Sequence, residues 1–160
     1  MRVLGVDPGG TGALALLAPE ELRIRDMPVF LVKRGKSSKP ELDVLALDDI
    51  LAAWRPDVCY FEQVGGIPGQ SAPAAFNFGR IAGAAEAIVK ASGARFVFVP
   101  PAVWKRAMHV RGDKDEARAL ATNMFPANAA DFRRKKDDGR AEAALLAEYG
   151  RRLEAPSIFS

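Results

Sequence analysis

The chain begins with a short apolar run, Val3-Leu4-Gly5-Val6, that stops at Asp7 and resumes at Ala13 after Pro8-Gly9-Gly10-Thr11-Gly12. Apolar runs of this length bounded by turn residues predict buried strands. Arg2 to Val6 and Ala13 to Leu17 therefore read as a strand pair joined by a tight glycine-rich turn. Leu22 to Met27 alternates apolar and polar positions, which predicts a third, half-exposed strand. Pro28 to Pro40 reads as a basic loop and Leu45 to Trp54 as a helix. Val58 to Phe61 is a buried strand closed by Glu62, and Gly65 to Pro73 is a glycine- and proline-rich loop. A long helix rich in small residues follows from Pro73 to about Ala91. Arg95 to Val99 is a further strand, and Pro100-Pro101 opens a short helix containing Val103 and Trp104. A helix from Asp113 to Phe125 has Asp113 as its N-cap. Pro126 to Lys136 reads as a linker before a last helix, Asp138 to Arg152. Three strands in a meander, then strands alternating with helices, predict an α/β fold with a mixed five-stranded sheet, its first three strands antiparallel, flanked by helices.

Composition narrows this picture. The 160 residues are 49% hydrophobic and 27% charged, which suits one domain, residues 1–160, with a sizeable core. No apolar run reaches the roughly 18 residues a membrane span needs. No secretory signal is visible and the single cysteine, Cys59, has no internal partner, so a cytoplasmic protein without a membrane partner is expected. Net charge is only +3, but it is unevenly placed. Lys33-Arg34-Gly35-Lys36-Ser37-Ser38-Lys39, the group Lys105, Arg106, Arg111 and Lys114, and Arg133-Arg134-Lys135-Lys136 are basic, whereas acids sit near strand and helix ends. Basic loops around an acidic centre suit a polyanion held over metal ions.

Four acids carry the chemical signal. Asp7 ends the first strand and Glu62 the fourth. Asp138 and Glu142 lie four apart at the start of the last helix, so they share a face. Acids at those places are each open to a plainer reading as caps or surface charge, and Asp137 and Asp138 suit the positive end of the last helix. Strands are poor places for idle carboxylates, however, so Asp7 and Glu62 resist it. Four carboxylates in one pocket repel, and hard divalent cations that take oxygen ligands reverse the repulsion. Two such ions about 3.5–4 Å apart hold a phosphodiester, activate water and stabilise a leaving oxygen.

Taken together, Val6-Asp7-Pro8-Gly9-Gly10-Thr11-Gly12-Ala13, Phe61-Glu62-Gln63-Val64, Gly79-Arg80-Ile81-Ala82-Gly83 and Lys136-Asp137-Asp138-Gly139-Arg140-Ala141-Glu142-Ala143 resemble a RuvC-type Holliday junction resolvase, in detail its phage and prophage branch. The resemblance spans nearly the whole chain. It implies a ribonuclease H-like fold, a homodimer, and cleavage of branched DNA such as four-way junctions with Mg²⁺ or Mn²⁺, two ions per site, leaving a 5′-phosphate. It implies that Asp7, Glu62, Asp138 and Glu142 are the catalytic metal ligands, with Asp138 preferred over Asp137 because it shares the face of Glu142. Lys105, Arg111 and Lys114 would contact DNA, and Lys36 would do so from its basic loop. The chain departs from the family at Glu142, where RuvC has Asp three rather than four residues on, and at Gly65, where RuvC has an aromatic wedge; Ile67 is a candidate substitute.

Two rival readings stay open on the residues. A branched-DNA-binding protein with weak cleavage is motivated by the missing wedge. An actin-like nucleotide-binding protein shares the strand, Asp and glycine-turn pattern but needs two domains around a cleft. Gly35-Lys36-Ser37 lacks the glycine a phosphate-binding P-loop requires five residues earlier, where Phe30 stands. His109 reads as a packed loop residue and Cys59 as an inert core thiol. Trp54, Trp104, Phe96 and Phe98 read as core, and Phe76 and Phe78 as core or dimer packing.

Overall fold

A computed structural model describes residues 1–156. Strands β1 (Val3–Asp7), β2 (Ala13–Ala18), β3 (Glu21–Asp26), β6 (Val58–Glu62) and β7 (Arg95–Val99) form one sheet in the order β3-β2-β1-β6-β7. The pairs β1–β2 and β2–β3 are antiparallel, and β1–β6 and β6–β7 are parallel. This is the mixed sheet the hydrophobic pattern predicts. Its central strand β1 is buried on both faces because helices cover both sides. Helices α1 (Val44–Trp54) and α2 (Ala72–Ala91) cover one face; α3 (Pro101–Ala107), α4 (Lys114–Met124) and α5 (Asp138–Glu154) lie on the other.

Alternation along β1 divides the core. Leu4 and Val6 join Leu47, Leu51, Trp54, Ile81 and Val89 beneath α1 and α2. Val3 joins Val58, Tyr60, Trp104 and the buried alanines of α5. Gly5 lies between Val3 and Asp7 on the α5 face, and a Cβ there would stand 2.1 Å from the carbonyl oxygen of Ala143. Absence of that one carbon lets the α5 backbone lie directly on β1. Gly150 does the same against the Tyr60 ring, where a Cβ would meet Cδ2 at 2.3 Å. The small residues of α5 thus set how closely its acids approach the sheet.

The segment expected to be a basic loop is instead a hairpin, β4 (Val29–Arg34) with β5 (Ser37–Leu42), turning at Gly35 with φ +64°. Val29-Phe30-Leu31-Val32 is apolar but largely exposed, and β5 is polar, so the hairpin lacks the period-two alternation that burial normally imprints on a strand. The hairpin is anchored at its base: the Asp43 N–H donates to the Pro28 carbonyl at 2.9 Å, and Asn77 donates to the Pro40 carbonyl at 3.1 Å. The segment expected to be a linker contains a 3-10 helix, Pro126–Phe132, pinned by buried Phe132. Asp113 caps α4 as expected, its side chain accepting from the Asp115 N–H at 2.8 Å. Phe98, expected as core, is not in it. It stands on edge strand β7 and is 43% exposed rather than core.

Candidate active site

The carboxyl ends of β1 and β6 lie side by side, so Asp7 and Glu62 emerge at one edge of the sheet. Strand alternation sends both toward α5, since Asp7 follows Val3 and Gly5, and Glu62 follows Val58 and Tyr60. Helix α5 begins there. A Cβ on Gly139 would meet the Thr11 carbonyl oxygen at 2.7 Å and Oδ2 of Asp7 at 3.0 Å, so the first turn of α5 sits directly against Asp7. Glu142, one turn on, completes the cluster. Asp7, Glu62 and Glu142 each offer an oxygen, all within 4.8 Å of one another. Asp138 lines the same cleft, of about 350 Å³, together with Pro8, Gly9, Gly12, Phe78 and Lys114. Its carboxylate is held by Lys114 at 2.5 Å and lies outside the three-oxygen group.

Asp137 has another task. It is buried, and its carboxylate accepts from the Arg134 backbone N–H at 2.8 Å and from the Arg134 guanidinium at 2.8 and 3.0 Å. That pairing holds its pKa below the usual value and closes the turn before α5. Of the two adjacent acids, Asp138 is therefore the one on the cleft.

Electrostatics mark the cluster as a place short of positive charge. Burial, then repulsion from Glu142, Glu62 and Asp138, pushes the Asp7 carboxyl well above its ordinary pKa, with Lys105 opposing. Glu62 is also raised, first by burial, against a hydrogen bond from Trp104 that favours its charged form. Hard oxygen donors that repel one another in a half-buried cleft suit a divalent cation, which would stabilise every carboxylate there.

Two residues of α3 act inside the cluster in ways the sequence pattern does not predict. Trp104 was expected as core; it is fully buried, but its indole Nε1–H donates to Oε1 of Glu62 at 2.8 Å. Lys105 was expected on DNA phosphate; its Nζ sits on Oε1 of Glu142 at 2.8 Å. The signal was positional. In the parallel β6–β7 pair Val99 lies beside Glu62, so a helix starting immediately after β7 must begin next to that acid. Phe78, expected as core or dimer packing, walls the cleft beneath Gly9, where a Cβ would meet its ring at 2.7 Å. Arg111 and His109 line a neighbouring basic cleft with Arg106, outside the carboxylate cluster. Lys36 stands exposed at the hairpin tip. Ile67 borders the carboxylate cleft and is 60% exposed, whereas Gly65 has open space around it. Cys59 is buried and its thiol pKa is raised by that burial, as expected of an inert core thiol. A larger cleft at the opposite end of β1 contains Glu148 and Glu154, but both are paired, with Arg151 and Arg152 and with Arg95.

A mixed sheet of this order, with acids closing its two central strands and a helix bringing more acids to them, defines a ribonuclease H-like fold. Comparison with solved structures sharpens that class. The chain has the fold of the RuvC Holliday junction resolvases. It matches Thermus thermophilus RuvC in complex with a Holliday junction substrate at TM-score 0.65 and 17% identity, over 96% of both chains. Thermus thermophilus RuvC in another structure gives TM-score 0.62 and 18% identity over the same shares. The yeast mitochondrial Holliday junction resolvase Ydc2 gives TM-score 0.52 and 11% identity, over 96% of this chain and 82% of that one. No family model matches the chain, and no curated protein matches it by sequence. No helix among the described residues is long and apolar enough to cross a membrane.

Proposed function

We propose that this protein is a divalent-metal-dependent endonuclease that nicks Holliday junctions or related branched DNA, with residues 1–160 acting as one nuclease domain. The observation that carries the reading is the convergence of Asp7, Glu62 and Glu142 from β1, β6 and α5 within 4.8 Å, in a fold shared with junction resolvases. Those three acids would hold one Mg²⁺ or Mn²⁺ ion. Asp138, with Asp7, would serve a second. Bound there, the ions would supply charge neutralisation at the scissile phosphate, an activated water and stabilisation of the leaving oxygen, giving 5′-phosphate and 3′-hydroxyl ends.

The chain's own residues prepare that chemistry. Gly9, Gly10 and Gly12 make the tight turn between β1 and β2, where the Gly12 N–H donates to the Gly9 carbonyl at 3.1 Å and Gly9 adopts φ +131°. A turn without side chains lets a DNA backbone come close to Asp7. Trp104 holds one oxygen of Glu62. Lys105 and Lys114 offset part of the cluster's negative charge and stand ready for phosphate oxygens. Arg111 and Lys36 would contact more distant phosphates. Gly79 and Gly83 leave open space along α2, and Phe76 on the same helix is 69% exposed; that face would join two copies into a homodimer, placing one site on each of two junction arms. Action in the cytoplasm, on branched DNA formed during phage replication or packaging, fits this reading and the motif resemblance.

The direct test is incubation of the purified protein with a synthetic four-way junction and a matched linear duplex in Mg²⁺ or Mn²⁺. Symmetric nicks near the branch of the junction, absent with EDTA, are expected; equal cutting of the duplex would remove the structure selectivity. A second reading, a junction-binding protein with weak cleavage, is favoured by Lys105 and Lys114 already seated on Glu142 and Asp138. Tight metal-free junction binding without nicking in either metal would select it.

A further inference from the structure

We propose that Trp104 is the positioning residue of the carboxylate cluster, setting Glu62 through its indole N–H and Glu142 through Lys105, so that its shape governs divalent-ion affinity. The proposal rests on the metal-dependent reading above. Three contacts carry it. The indole Nε1–H donates to Oε1 of Glu62 at 2.8 Å. The Lys105 Nζ lies 5.3 Å from the centroid of the Trp104 ring. The same Nζ holds Oε1 of Glu142 at 2.8 Å. One side chain therefore touches Glu62 through its polar edge and reaches Glu142 through the Lys105 cation that lies over its ring.

Packing explains why Trp104 can do this. It is the largest fully buried side chain, clamped in the cluster that contains Val99, Met108, Val110, Ala117, Leu145 and Phe132. Helix α3 is held in place, since its N-cap Pro100 directly follows β7, and the Gln63 N–H, next to Glu62, donates to the Val99 carbonyl at 2.8 Å. A ring fixed on every side points its one donor in one direction. With Oε1 engaged, Glu62 loses freedom at its last torsion. A buried indole N–H without that acceptor would be left unpaired, so the contact constrains both partners. The role is distinct from catalysis, because the indole is sealed from the cleft and touches no substrate.

Trp104→Phe keeps an aromatic ring for Lys105 and removes the donor. Phe132→Leu disturbs the same apolar cluster and touches no acid. Binding of Mg²⁺ and Ca²⁺ alone is measured by calorimetry, and the indole N–H resonances are followed by ¹H–¹⁵N NMR during the same titrations. Loss of an oriented partner of a metal ligand costs about 10- to 100-fold in affinity. A loss in that range for Trp104→Phe, with Phe132→Leu unchanged in affinity though lower in Tm, is expected. In the parent, the Trp104 indole signal shifts on ion binding, and Glu62→Gln displaces it without metal. Equal loss in both variants, parent affinity in Trp104→Phe, or an indole signal indifferent to the ion overturns the proposal. An indole shift without junction nicking would leave it standing and reject the nuclease reading instead.

Discussion

The carboxylate cluster predicts that the metal-free protein becomes more stable when Asp7 is neutralised. Burial and three neighbouring acids raise the Asp7 pKa well above its ordinary value. The unfolded chain therefore releases this proton at lower pH than the folded chain. Between the two pKa values the folded state binds more protons, so stability falls as pH rises, and the loss is complete above the folded pKa. Glu62 adds a contribution of the same sign. Each unit by which such a pKa is raised costs about 1.4 kcal/mol, which for a chain of this size corresponds to about 3–6 °C in Tm. Asp7→Asn keeps the shape and removes the charge. In EDTA at pH 7.5 its Tm should exceed that of the parent by at least this amount. The gap should be smaller at pH 5 than at pH 7.5, because a raised pKa means that the folded parent takes up this proton before the unfolded chain does as pH falls. Saturating Mg²⁺ should invert the order, because only the parent gains from the ion. Thermal unfolding by calorimetry at both pH values, with and without Mg²⁺, reads all of this. A metal-free Asp7→Asn protein less stable than the parent at pH 7.5 would refute the electrostatic account of the cluster.

Two further outcomes follow from particular contacts. Gly5→Ala places a Cβ 2.1 Å from the Ala143 carbonyl oxygen and 2.6 Å from the Ala147 backbone nitrogen, so α5 must lift from β1. A loss of about 1–3 kcal/mol or more is expected, measured by urea unfolding, along with weaker Mg²⁺ binding as Glu142 withdraws from Asp7. Replacing Lys33, Lys36 and Lys39 of the hairpin by Ala should weaken junction binding and flatten its salt dependence by about 0.9 log units per lost phosphate contact, while cleavage at saturating DNA is unchanged.

Much of this was legible in the sequence because burial writes a strong pattern. The strands β1, β2 and β6 are apolar runs stopped by Asp7, by turn residues and by Glu62, and acids at the ends of buried strands already marked the site. The i, i+4 spacing of Asp138 and Glu142 placed both at the start of α5. Exposed structure left a mixed mark. Val29-Phe30-Leu31-Val32 is itself an apolar run, but no face of the hairpin β4–β5 alternates, and the basic residues that follow read as loop. Long-range polar contacts were equally silent. Trp104 looks like core because it is core, and only the fold reveals that its single donor meets Glu62, 42 residues away. Likewise nothing local tells that Lys105 turns to Glu142, or that Arg134 takes Asp137 out of the site and leaves Asp138 on it.

Whether this acidic cluster cuts branched DNA is decided by single-turnover cleavage of a preformed four-way-junction complex. Parent and Asp7→Asn proteins would be bound to the junction in Ca²⁺ to equal occupancy, then shifted into Mg²⁺. The parent should nick the junction, and Asp7→Asn should be slower by about 10³-fold or more, equivalent to about 4 kcal/mol in the barrier. Cutting by Asp7→Asn at the parent's rate, or an intact junction with the parent in both Mg²⁺ and Mn²⁺, would contradict that role for the cluster.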